Sequence, residues 1–62
     1  MVYCIKNAKT NLFVSYLKGI TNGWTCTKES ANSYTLIQAV VERMYIAKEC
    51  NINREDLVIE QI

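Results

Sequence analysis

Sixty-two residues, half of them apolar and none of them proline, suffice for one small domain and exclude a disordered tail or a polyproline ligand. A chain of this length buries only about 60% of the surface it exposes when unfolded, so a partner or self-association is expected to add to its stability. The net charge of +1 hides a division: residues 1–28 carry Lys6, Lys9, Lys18 and Lys28 and no acid, while residues 29–62 carry all six acids against Arg43, Lys48 and Arg54. Such an asymmetry can steer encounter with a partner, and its basic part can touch phosphate; the plainer reading is a set of solvated hairpin loops.

In chain order, Val2–Lys6 is β-branched and aromatic, and the following NAKTN, Asn7–Asn11, has the composition of a hairpin turn. Leu12–Leu17, LFVSYL, is apolar at nearly every position; its shortness and its Phe, Val and Tyr predict a strand antiparallel to the first. Asn22-Gly23 has the tolerance of positive φ that a tight turn requires, and a third short strand is expected at Trp24–Thr27. Thr27–Tyr34 is polar and irregular, with Thr27 or Ser30 able to cap a single turn, and is expected to form few backbone ladders.

Thr35–Cys50 is the one segment long and periodic enough for an α-helix. Thr35 and Gln38 stand at capping-box spacing, and Asn51 tolerates the left-handed conformation that closes a helix, with Ile52 folding back on Ile46 or Ala47. Ile37, Val40, Val41, Met44 and Ala47 recur at helical spacing and are expected to be the core face, so that truncating Val40 or Met44 should be costly. Ala39, Arg43, Ile46 and Cys50 make a second stripe, expected to face outward. Asn53–Asp56 then turns, and Leu57–Ile62 closes the fold as a strand beside the first, with Leu57 and Ile59 on one face and Glu60 on the other. The predicted class is α+β: a small antiparallel or mixed sheet in the order β-β-β-α-β, one helix packed on one face and the far face uncovered, with a right-handed crossover if the helix joins parallel strands.

The inventory for catalysis is poor. There is no histidine, no Gly-rich phosphate loop, no cofactor motif and no pair of carboxylates at a strand end, so a non-enzymatic role is expected. Cys4, Cys26 and Cys50 are odd in number, lack CxxC spacing and are read as buried free thiols that bind no metal. No signal peptide and no apolar run of about 20 residues is found, so the chain is expected in the cytoplasm and off the membrane.

Ile5-Lys6-Asn7, Thr10 before Phe13, Trp24-Thr25 and Ala31 to Tyr34, in that order before a capped helix and a closing LVIEQI, resemble small proteins encoded by phages and other mobile elements of low-GC bacteria. The resemblance covers most of the chain, although a Gly often stands where this sequence has Asn11. It implies the β-β-β-α-β fold and a host or defence protein as target, bound stoichiometrically in the manner of anti-CRISPR inhibitors.

Candidate contact residues for a protein partner or a second copy are Tyr16, Trp24, Arg43, Tyr45 and Ile46. Arg43 and Tyr45 are of types enriched at binding hot spots, and Trp24, after a tight turn, can stand out on the uncovered sheet face. Each has a plainer reading: Ile46 packs beneath the Asn51–Ile52 loop, Tyr45 is an amphipathic surface residue, and Trp24 closes the edge of the core. The alternative function is a nucleic-acid module using Lys6, Lys9, Lys18 and Lys28 beside Tyr3, Phe13 and Tyr16. Against it, these lysines lie on separate loops and include no arginine.

Overall fold

The computed structural model describes residues 1–15 and 23–62. Strands β1 (Tyr3–Asn7), β2 (Leu12–Val14), β3 (Trp24–Thr25) and β4 (Leu57–Gln61) form a sheet in the order β3-β2-β1-β4, and α1 (Leu36–Glu49) packs on one face. The α+β class is as expected. Every strand pairing is antiparallel. Since β4 runs against β1, it also runs against β3, so α1 joins antiparallel strands and the handedness rule for parallel crossovers does not apply.

The first hairpin is closed as its residues dictate. Asn7 Oδ1 accepts from the Lys9 amide at 2.9 Å, the Asn11 amide donates to the Asn7 carbonyl at 2.8 Å, and Asn11 sits at φ 59°, a left-handed position that asparagine tolerates in place of glycine. The far half of the LFVSYL run and the turn expected at Lys18–Gly23, including Asn22, lie outside the described residues up to Gly23.

The connection from β3 to α1 is more ordered than its composition predicts. It opens with a 3₁₀ turn at Lys28–Ser30 that no side chain caps. Tyr34 then lies against β1 beyond the end of β2, exchanging two 2.8 Å bonds with Tyr3 through N–H and C=O groups. The Asn32 amide donates to the Val14 carbonyl at 2.9 Å, and Ser15 Oγ donates to the Ser30 carbonyl at 2.7 Å. The segment is thus a wedge bonded into the fork between β1 and β2, and it delivers the chain to the helix start in a fixed direction.

Both helix ends follow the sequence signals. Gln38 N–H donates to Thr35 Oγ1 at 3.2 Å and Thr35 N–H donates to Gln38 Oε1 at 3.1 Å, a complete capping box. At the other end Asn51 has φ 54° and the Ile52 amide donates to the Ala47 carbonyl at 3.0 Å, the six-to-one bond of a Schellman closure. Ile52 folds back on the core as expected.

The rotation of the helix does not follow expectation. Ala39 and Ile46 are the buried positions of α1, at 0% and 1% exposure, and they join Ile5, Val14 and Leu57 in the core, with Tyr3, Trp24, Tyr34, Ala47, Ile52 and Ile59 packed around them. The stripe expected inside faces out: Ile37 is 78% exposed, Val41 59%, Met44 54% and Val40 37%, while Ala47 alone of that set reaches the core margin. The physical reason lies in the sheet. Its helix-facing surface already presents Ile5, Val14, Leu57 and Ile59, and a small Ala39 lets the helix backbone approach where a stripe of Ile, Val and Met would hold it away.

The far face of the sheet is not bare. By register, Cys4, Lys6, Val58, Glu60, Phe13 and Thr25 point there. Cys4 and Phe13 are buried, with the Lys6 ammonium 5.8 Å from the Phe13 ring centroid and Glu60 held between Lys6 at 3.9 Å and Lys28 at 3.1 Å. Lys28 also donates to the Gln61 carbonyl at 3.3 Å. A charged bracket therefore closes part of a face expected to be open.

Candidate functional site

The feature that demands explanation is the outward half of α1. At 100° per residue, Val40, Met44, Ile37, Val41 and Tyr45 occupy an arc of about 140°, opposite Ala39 and Ile46. Leu36 extends it at the N-terminal end, and Gln38, Glu42 and Glu49 bound it on one side. Tyr45 is 61% exposed and Leu36 50%, so the arc is a continuous, mainly apolar surface, interrupted by Lys48 in the last turn, rather than scattered single residues. A helix apolar on both faces satisfies one against its own sheet and leaves the other for something else.

The expected contact residues separate. Tyr45 stands on the outward arc. Ile46 does not: it is core, because the stripe it belongs to faces the sheet. Arg43, on the same stripe but at its margin, is half-buried, and its Nε is shielded from solvent with no hydrogen-bond partner among the described residues. Trp24 is half-buried against the core and lines a shallow depression with Leu12, Cys50 and Ile52, in agreement with its plainer reading as the edge of the core. Tyr16 lies outside the described residues.

The basic residues are also redistributed. Lys6 and Lys28 converge on Glu60, and Lys9 reaches Asp56 at 3.5 Å from the first hairpin turn; Lys18 lies outside the described residues. Part of the charge division read along the chain is thus a pairing of Lys6, Lys9 and Lys28 with Glu60 of β4 and with Asp56 in the 3₁₀ turn at Arg54–Asp56 before it. Tyr3 and Phe13 point to opposite faces of the sheet, so they form no common stacking platform.

Among the cysteines, Cys4 is buried, whereas Cys26 and Cys50 are exposed, which corrects the expectation of three buried thiols. Burial pushes the Cys4 thiol up, against an opposing pull from Lys28. Burial likewise raises the Tyr34 phenol, moderated by a 3.3 Å bond from Asn32 Nδ2. Among the described residues no three His, Cys, Asp or Glu side chains gather as a metal site would require, and no helix is long and apolar enough to cross a membrane.

No protein-family model, curated protein or solved structure matches the chain.

The outward residues were legible individually but not as a surface. The available signal was the presence of two apolar stripes on one helix. The bulkier stripe has the stronger hydrophobic signature, and the sheet's shape, which selects the slimmer one, is a long-range property.

Proposed function

We propose that the chain is a non-catalytic protein-binding module that docks through the outward face of α1, with Ile37, Val41, Met44 and Tyr45 as its anchors. One observation carries this reading: large apolar side chains are concentrated on the half of the helix turned away from the core. Apolar patches of more than a few hundred Å² on a folded domain mark interaction surfaces, and a single helix face is a recurrent unit of recognition. The resemblance of the chain to small mobile-element proteins supports a bacterial host or defence protein as the target, inhibited by stoichiometric blocking of its surface. The ion pairs of Lys6, Lys9 and Lys28 weigh against the nucleic-acid alternative, because cations already committed to carboxylates offer less to phosphate.

The test is affinity capture from cells of the source organism with wild type and Val41→Glu as parallel baits, at low and high salt and after nuclease treatment. A protein retained by wild type at both salt concentrations and lost with Val41→Glu is the expected result. Capture that vanishes with nuclease or salt, or that Val41→Glu leaves unchanged, overturns the proposal.

A further inference from the structure

The same face has the geometry of a helix-pairing seam. Ile37, Val41, Met44 and Lys48 follow one another at steps of four, three and four residues, the spacing of alternating d and a positions, with Val40 and Tyr45 on the flanks. Ala39 and Ile46 fall at the heptad position farthest from that seam and are the residues buried on the sheet. The helix thus presents a convex ridge to solvent with the whole domain behind it, and nothing in the described fold obstructs the approach of another helix.

We propose that in the free protein, before any target is bound, a second copy of this chain occupies the ridge, forming a two-fold dimer by antiparallel packing of α1 on α1; this rests on the reading of the face as a protein-docking surface. The area is sufficient. At ordinary residue areas, the exposures of Ile37, Val40, Val41, Met44 and Tyr45 amount to at most about 550 Å² per copy, so a pair removes up to about 1,100 Å² from water, the size of a weak, concentration-dependent interface.

Charge selects the orientation. A parallel pair would set Lys48 against Lys48 in the seam, whereas an antiparallel pair places each Lys48 over the Ile37 end of the other helix and aligns the two helix dipoles favourably. In the antiparallel arrangement Val41 meets Met44, and Gln38 comes beside Tyr45, giving the phenol a polar neighbour at the rim. Apart from Lys48 at one end the seam is apolar, and an antiparallel two-fold axis, which keeps the two Lys48 side chains at opposite ends, makes it complementary to itself.

Sedimentation velocity of the purified full chain, from low micromolar to near-millimolar concentration, tests this. The expected result is a concentration-dependent dimer in wild type, with Val41→Glu and Met44→Lys each weakening association by at least roughly 100-fold while keeping the parent circular-dichroism spectrum, because pairing would bury an uncompensated charge. In the wild type, dilution should also shift the NMR methyl signals of Ile37, Val41 and Met44 and leave Ile46 still, a readout that needs no variant. A wild-type monomer at every concentration overturns the second-copy proposal alone, since Val41-dependent capture of another protein would still uphold the docking face. A dimer that both folded variants preserve, or one whose dilution shifts centre on Ile46, overturns both.

Discussion

The two faces of α1 differ in bulk more than in polarity. The inner face is slim: Ala39 and Ile46 on the sheet, with Ala47 and the stem of Arg43 at its edges. The outer face carries Ile37, Val40, Val41, Met44 and Tyr45, more apolar surface than the face that holds the fold together. Hydrophobicity alone would turn the helix over. What opposes this is fit: a sheet surface already presenting Ile5, Val14, Leu57 and Ile59 takes the small Ala39 at close range beside one large residue, Ile46, whereas the other stripe would bring Ile37, Val40, Val41 and Met44 against it together. Apolar content shows that a helix face needs covering; shape decides which covering is internal.

The sharpest way to break this comparison is to truncate one residue from each face. Ile46→Ala should cost about 2–5 kcal/mol, and Met44→Ala, measured on the monomer, no more than about 0.5 kcal/mol. Urea denaturation gives both values, and alkylation resolved at Cys4, buried on the far face of the sheet while Cys26 and Cys50 are exposed, reports global unfolding independently. Equal losses, or a larger loss at Met44, would mean that the helix sits the other way round.

A smaller effect is expected from Thr35→Ala, which removes one limb of the capping box and should cost about 0.5–2 kcal/mol, with Thr35→Ser restoring most of it. This sharpens the comparison by asking how far the local start of the helix, as opposed to its packed face, holds α1 in place. If Thr35→Ala is silent in thermal melts, the wedge at Asn32–Tyr34 is sufficient by itself.

Smallest is the bracket on the far side of the sheet. Glu60→Gln removes the carboxylate shared by Lys6 and Lys28 and should cost less than about 1 kcal/mol, falling further as salt is raised, because these side chains are partly solvated. A salt-independent loss would assign Glu60 a packing role over Cys4 instead.

What could be read from the sequence was local. Thr35 with Gln38, Asn51 with Ile52, Asn7 with its turn, and the alternation of Leu57 and Ile59 each involve residues close enough along the chain for a side chain to satisfy a neighbouring backbone group or keep to one face. The rotation of α1 and the reach of Lys28 to Glu60 depend on residues from distant segments. So does the wedge: Tyr34 finds Tyr3 because β2 leaves β1 at Val14, and nothing in the polar stretch before the helix announces that vacancy. The outward surface is illegible for the same reason: the residue pattern marks two apolar stripes on α1, and only the sheet decides which of them is interior.

The pairing of β1 with β4 has a consequence for how the chain acquires its structure during synthesis. β1 is the central strand that pairs with β4 over its full length, from Tyr3 opposite Gln61 to Asn7 opposite Leu57. One of its edges can be filled early, by the hairpin to β2, but the other must wait until β4, which begins at Leu57, has been made. Until then Ile5 lacks Ile59 beside it, and α1 has only part of the sheet on which to settle. Contacts of such long sequence separation are slow to close and tend to form together. A ribosome-bound chain lacking β4 would therefore cover the inner face of α1 only in part, and the complete core would form only after β4 had emerged.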